Sequence, residues 1–262
     1  MQHKNKNRPS ATSAVDVRGV SKVYDGGVEA LNDVSLEFPE GQLTSVLGPS
    51  GCGKTTLLKI IAGLIPSTTG EVLVHGKRVT GPGPERAFVF QDFALMPWAD
   101  VMRNVGFGLE LKGMRRQQRE EIAQAYITKV GLKGFERSYP HELSGGMRQR
   151  VGLARALAVD AKVLLMDEPF SAVDEQTRRK FQEDLLALIA EEKKTFIFVT
   201  HSIEEAVYVS DRVVLLSRRP SRVSAIIEPD IARGDDPDSI RRDPAYLDTV
   251  ESIWQGLKRY VE

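Results

Sequence analysis

Gly48-Pro-Ser-Gly-Cys-Gly53-Lys54-Thr55 has the spacing G-x-x-x-x-G-K-[ST], that of a loop which wraps around phosphate. Glycines allow the backbone to come close to an anion and to turn its N–H groups inward. A helix starting near Lys54 adds the positive end of its dipole. Lys54 supplies a point charge for the β- and γ-phosphates, and the Thr55 hydroxyl can ligate Mg²⁺. The nucleotide-contacting set assigned to this stretch is Gly48, Ser50, Gly51, Cys52, Gly53, Lys54, Thr55 and Thr56.

A second constellation is Val163-Leu-Leu-Met166-Asp167-Glu168-Pro169. An apolar strand ending in two adjacent carboxylates is costly unless positive charge meets them. Asp167 is assigned to Mg²⁺, directly or through water. Glu168 is assigned to the attacking water, as general base or water-orienter. The third constellation is Leu143-Ser-Gly-Gly-Met147, which opens a helix-like run to Ala158. Ser144 is a natural N-cap, and Gly145 and Gly146 leave backbone N–H groups open at a helix start. Taken alone this is an ordinary capped helix. Beside a phosphate loop it is a second anion site, 96 positions after Gly48 (144 − 48).

The elements that must hold these residues are visible in the apolar pattern. Val34, Leu36 and Phe38 alternate with polar residues, as on a half-buried strand. Leu43–Leu47 is a strand running into the phosphate loop, and Lys54 to Ala62 is a helix closed by Gly63. Further strands are predicted at Glu71–His75, Ala87–Gln91, Val163–Met166, Phe196–Thr200 and Val213–Ser217. The last four are short and nearly all apolar, as in strands covered on both faces. Strands alternating with helices predict an α/β fold: a P-loop NTPase core of RecA type with a parallel-rich sheet, an N-terminal antiparallel β portion and an inserted helical subdomain over 92–160. Residues 1–14 are expected to be a disordered tail, 15–220 the nucleotide-binding domain and 221–262 an extension. The extension ends in Tyr246, Val250, Ile253, Trp254, Leu257 and Val261, spaced as one face of an amphipathic helix that caps the core or regulates it. The basic clusters Arg115–Arg119 and Arg218–Arg222 read as solvated faces.

Composition narrows the function classes. Lys plus Arg and Asp plus Glu each number 36, with 41% apolar and 27% charged residues, so the chain can bury a core. Zero net charge argues against nucleic acid held by bulk electrostatics, and no nucleic-acid partner is expected. One cysteine excludes an internal disulfide framework and a cysteine-built zinc site. No apolar run approaches the ~18–20 residues of a membrane span, and the polar N-terminus has no secretion-signal core, so a soluble intracellular protein is expected.

With these motifs assembled, the sequence resembles the ATP-binding subunits of ABC transporters over about residues 15–220, with six motifs in the family order. The resemblance implies that Tyr24 stacks on adenine and that Gln91 links Mg²⁺ and water to the helical subdomain. It implies that Leu143–Met147 is the signature stretch, that Asp174 in Ser171-Ala-Val-Asp174 crosses a dimer interface, and that His201 touches the γ-phosphate. The implied catalytic set is Glu168, His201 and Gln91; the implied metal set is Thr55, Gln91 and Asp167. Met147 stands where the family commonly has Gln, and Val173 where Leu is commoner. Phe90 to Trp98 and Met147-Arg-Gln-Arg150 are similar to importers of the nitrate, sulfonate and taurine group. The implied activity is ATP hydrolysis driving uptake of a small anion or organosulfonate, with ATP and Mg²⁺ as cofactors. The implied partners are a second copy, or a homologous ATPase subunit, packed head to tail (each ATP between Lys54 of one chain and Ser144 of the other), a membrane permease docked near Gln91 to Trp98, and an extracytoplasmic solute-binding protein. The implied location is peripheral, on the cytoplasmic face of the membrane. The rival reading is an ABC ATPase of DNA repair or translation. Such proteins usually carry coiled-coil insertions, zinc modules or two cassettes, and one phosphate loop, one cysteine and no sustained heptads speak against it. A nucleotide sensor is disfavoured by Glu168 and His201, and a GTPase by the lack of Asn-Lys-x-Asp.

Overall fold

The computed structural model describes residues 12–171, 175–231 and 237–260. Two sheets share the described chain. The first is antiparallel and comprises β1 (Ser13–Val23), β2 (Glu29–Pro39), β4 (Thr69–Val74) and β5 (Lys77–Arg78), in the order β2-β1-β4-β5. The second has six strands. β3 (Leu43–Leu47), β6 (Arg86–Val89), β7 (Val163–Asp167), β8 (Thr195–Val199), β9 (Arg212–Leu216) and β10 (Val223–Ile227) lie in the order β10-β9-β3-β8-β7-β6. All neighbours in it are parallel except β10 with β9.

The apolar runs of the second sheet follow from its place between two cores. Val163 and Leu165 of β7 enter one core, with the first sheet and α1 (Lys54–Ala62). Leu164 and Met166 enter the other, with the remaining helices. Phe196 and Phe198 against Ile197 and Val199 repeat this division on β8. A strand covered on both faces has no solvent side on which to put a polar residue.

Between β6 and β7 the chain forms α2 (Val101–Leu111), α3 (Arg116–Lys129), a short 3-10 turn (Pro140–Glu142) and α4 (Gly145–Ala158). Ala123, Ile127 and Val130 are buried, with Ile122 and Tyr126 packed beside them, as the helical spacing predicts. α5 (Glu175–Glu192) joins this group through Arg150–Asp184 at 2.8 Å and Lys129–Glu192 at 2.9 Å.

Two boundaries move. The N-terminal strand begins at Ser13, with Ala14 fully buried, so residues 13 and 14 belong to the sheet and not to a tail. The stretch after Pro220 supplies a short, half-buried edge strand, β10, within what the overall polar composition reads as an extension. Beyond it lie α7 (Pro237–Arg242) and α8 (Pro244–Lys258). Tyr246, Ile253 and Leu257 of α8 are buried, and the Tyr246 hydroxyl donates to the Glu204 carbonyl on α6 (Ile203–Val209). Trp254 is half-exposed on the same helix, and Val261 lies outside the described residues.

Candidate functional site: the phosphate loop and its carboxylates

β3 leads directly into the loop 48–53, which ends on α1. Gly53 caps the helix at φ 114°, where a Cβ would lie 3.0 Å from the Ala30 carbonyl oxygen. At Gly48 a Cβ would lie 2.8 Å from the Cys52 sulfur and 3.0 Å from the Leu216 carbonyl oxygen. Only glycine satisfies both positions. Lys54 is nearly buried, and its Nζ donates to the carbonyls of Gly48 and Pro49 at 2.8 and 3.0 Å. The ammonium is thereby held over the loop on a short tether.

Asp167 ends β7 with its carboxylate accepting from the Thr55 hydroxyl at 3.0 Å. Burial pushes this carboxyl above its usual range; the Thr55 hydrogen bond opposes that, adjacent Glu168 adds to it, and Lys59 and Lys54 oppose it. A buried carboxylate beside a hydroxyl is the oxygen pair that Mg²⁺ takes together with phosphate oxygens and water. The residues present therefore fit the ion.

Glu168 has φ 46°, in the left-handed region, which costs a non-glycine residue about 1–2 kcal/mol. The backbone is pinned there. Glu168 N–H donates to the Val199 carbonyl at 2.9 Å, and the Glu168 carbonyl accepts from Ser171 N–H at 3.1 Å and its hydroxyl at 2.9 Å. One oxygen, Oε2, lies 3.2 Å from His201 Nδ1 and 3.5 Å from Gln91 Nε2. His201 is set by its neighbours. Buried Thr200 donates to Glu205 at 2.6 Å and accepts from Ser202 N–H at 3.0 Å, and Ser202 caps α6.

Tyr24 closes the other side, its hydroxyl 3.0 Å from that of Thr56 and its ring beneath the Lys22 ammonium at 5.3 Å. Tyr24, Ser50, Gly51, Gly53, Lys54, Thr55, Thr56 and Glu168 line one open cavity of about 300 Å³, joined by Ala30 and Arg219. Gln91 and His201 reach it through Glu168. Gln91 bonds Glu168 rather than the Thr55–Asp167 pair.

The other sequence-assigned residues lie elsewhere. Cys52 is 2% exposed and belongs to the core under the first sheet, so its thiol faces inward rather than toward the cavity. Ser144 caps α4 by accepting from Met147 N–H at 3.2 Å, with Gly145 and Gly146 in the first turn, and none of the three lines the cavity. Asp174 lies outside the described residues.

Three residues invisible to motif reading shape the site's surroundings. Arg155 on α4 donates to the carbonyls of Phe93 and Ala94 at 2.7 Å, both residues having positive φ. Asn104, fully buried on α2, bonds Met96 N–H at 2.9 Å and the Ala99 carbonyl at 2.9 Å. Together they clamp the segment that follows Gln91 and leave Trp98 73% exposed. Arg219 is the third.

Comparison with known proteins gives this geometry its family. The model describing ABC transporters matches residues 31–171. The chain belongs to the ABC transporter family. An uncharacterized ABC transporter ATP-binding protein of Methanocaldococcus jannaschii is 52% identical over 97% of this chain and 94% of its own length. The taurine import ATP-binding protein TauB of Escherichia coli K12 is 49% identical, over 87% of this chain and 91% of its own. Among solved structures, a dimeric post-hydrolysis ATP-binding cassette bound to ADP and Pi has TM-score 0.73 and 33% identity, covering 82% of this chain and 98% of that one. The dimeric structure of a bacterial ABC transporter cassette has TM-score 0.74 and 32% identity over the same shares. This ABC cassette is an ATPase, a mixed α/β nucleotide-binding subunit with a parallel-rich sheet. Among its described residues no helix is long and apolar enough to cross a membrane.

Proposed function

We propose that the chain is the ATP-hydrolysing subunit of an importer for taurine-like organosulfonates or similar small anions. The observation behind the catalytic assignment is the Glu168 carboxylate beside the phosphate loop, with His201 and Gln91 on the same oxygen. Glu168 would accept a proton from, or orient, the attacking water. His201 and Gln91 would hold that carboxylate in position, and Lys54 with the loop N–H groups would stabilise charge on the β- and γ-phosphates. Mg²⁺, when bound, would be held by Thr55 and Asp167 and would supply positive charge to the phosphate oxygens. Tyr24 would bear on the base. The importer class is supported by the 49% identity with taurine import ATP-binding proteins over 87% of the chain.

Two copies would pair head to tail, each Ser144-Gly-Gly helix start meeting the γ-phosphate held by the other copy's Lys54. ATP would then favour closure because it bonds both halves only when they meet. The dimeric cassettes similar to this chain support pairing. Trp98, exposed on a clamped segment just past Gln91, is proposed to meet the membrane permease, which holds the subunit on the cytoplasmic face. Co-expression with a permease and solute-binding protein of the taurine-import type from the same organism, followed by ATP-dependent uptake of labelled taurine, alkanesulfonate and nitrate, tests this. Uptake of one of them that disappears in Glu168→Gln is expected. A complex that assembles and moves none of the three refutes the substrate class.

A further inference from the structure

The arginine-rich segment 218–222, which reads as a solvated face in sequence, is fastened to the phosphate loop. Ser221 is fully buried, and its hydroxyl donates to the Cys52 carbonyl. Its N–H donates to the Ala30 carbonyl at 3.0 Å, and its own carbonyl accepts from Asn32 N–H at 2.9 Å. The two outer arginines are engaged away from the cavity. Arg218 donates to the Tyr260 carbonyl at 2.5 Å, and Arg222 to the Asn32 side chain at 2.8 Å. Arg219, between them, has no hydrogen-bond or ion-pair partner among the described residues, although carboxylate Glu168 lines the same cavity. Its Nη2 lies 3.5 Å from where a Cβ on Gly51 would be, so the guanidinium overhangs the loop.

We propose that Arg219 is a second nucleotide-binding cation, whose guanidinium bonds the phosphate chain of ATP alongside Lys54. This rests on the reading of residues 48–55 as the phosphate-binding loop. A planar fork of N–H donors overhanging a phosphate-binding loop matches phosphate oxygens, and Arg holds them bidentately where Lys acts as a point charge. The Ser221 anchor explains how so long a side chain on an exposed turn keeps its address: the turn moves with the loop.

The test is equilibrium binding of a fluorescent ATP analogue to the full chain, at protein concentrations too low for copies to pair. Arg219→Ala should weaken binding about tenfold or more, as expected for loss of a charge-assisted hydrogen bond, and should flatten its salt dependence. Arg219→Lys should fall between the two, and the melting temperature should not move because the side chain is exposed. Lys54→Ala in the same assay separates the possible failures. If it abolishes binding while Arg219→Ala stays within about twofold of wild type, the proposal fails and the phosphate loop stands. If Lys54→Ala also binds normally, the underlying reading fails. A loss in Arg219→Ala seen only when copies pair overturns the proposal in favour of a contact with the second copy.

Discussion

Glu168→Gln removes one negative charge and alters almost nothing else. Both neighbours, His201 Nδ1 at 3.2 Å and Gln91 Nε2 at 3.5 Å, meet the same oxygen, Oε2. A glutamine can present its carbonyl oxygen there and keep both contacts. The backbone hydrogen bonds that pin φ at 46° do not involve the side chain, so the strained turn is unaffected. What is lost is the proton acceptor. A general base contributes about 10²–10⁴ in rate, which at about 1.4 kcal/mol per decade is roughly 3–5 kcal/mol on the barrier. ATP binding should hold or tighten, since a carboxylate beside a polyphosphate is repulsive. Single-turnover phosphate release and equilibrium ATP binding, measured on the same preparation, separate chemistry from affinity. Gel filtration with ATP should show a stabilised pair of copies if ATP bridges them. Turnover within about threefold of wild type would refute the assignment of Glu168 as base, because it leaves less than ~1 kcal/mol for proton transfer. A parallel collapse of ATP binding would instead show that the carboxylate had a structural role.

Trp98→Ala should leave the melting temperature and basal ATPase of the isolated subunit nearly unchanged, since the ring is 73% exposed, yet weaken capture of the permease in a pull-down; a large drop in melting temperature with normal capture refutes the docking role. Asp167→Asn should raise the melting temperature of the nucleotide-free chain at neutral pH while impairing Mg²⁺-dependent hydrolysis. Burial raises the folded carboxyl above its unfolded value, so its contribution is fully present below the unfolded pKa and is lost as pH rises through the folded one. The melting difference between Asp167→Asn and wild type should therefore grow with pH across that window, and a flat difference contradicts it. Cys52 should react slowly with maleimide in the native chain with or without MgATP, because the buried thiol must wait for the loop to open; fast labelling blocked by MgATP would put the thiol in the cavity.

The sequence was most informative where the physics is local. The phosphate loop, its strand and its helix are contiguous, and Lys54–Ala62 with Gly63 at its C-cap is legible from apolar spacing and one glycine. The buried strands β3, β7, β8 and β9 are legible to within a residue at either end because a strand covered on both faces is mostly apolar; in β3 the two polar residues, Thr44 and Ser45, are small and buried, and the run is still bounded by Gly41 and Gly48. β10 is hard to isolate although Val223-Ser-Ala-Ile-Ile227 is mostly apolar, because it is five residues long, half-buried at the sheet edge beside β9, and set between the arginine-rich turn 218–222 and a polar stretch.

Tertiary structure alone decided which distant residues meet. Thr55 and Asp167 are 112 positions apart, yet hydrogen-bonded, because β3 and β7 both flank β8 and end on the same side of the sheet. The thiol of Cys52 points inward because it packs in the core beneath the first sheet, a neighbourhood that distant strands build. Arg219 acquires its address from Ser221, whose hydroxyl bonds a carbonyl 169 positions away. Residue type can announce what a side chain is able to do. Which anion, carboxylate or backbone it meets depends on the order in which parallel strands stack, and that order is written in no local window of the chain.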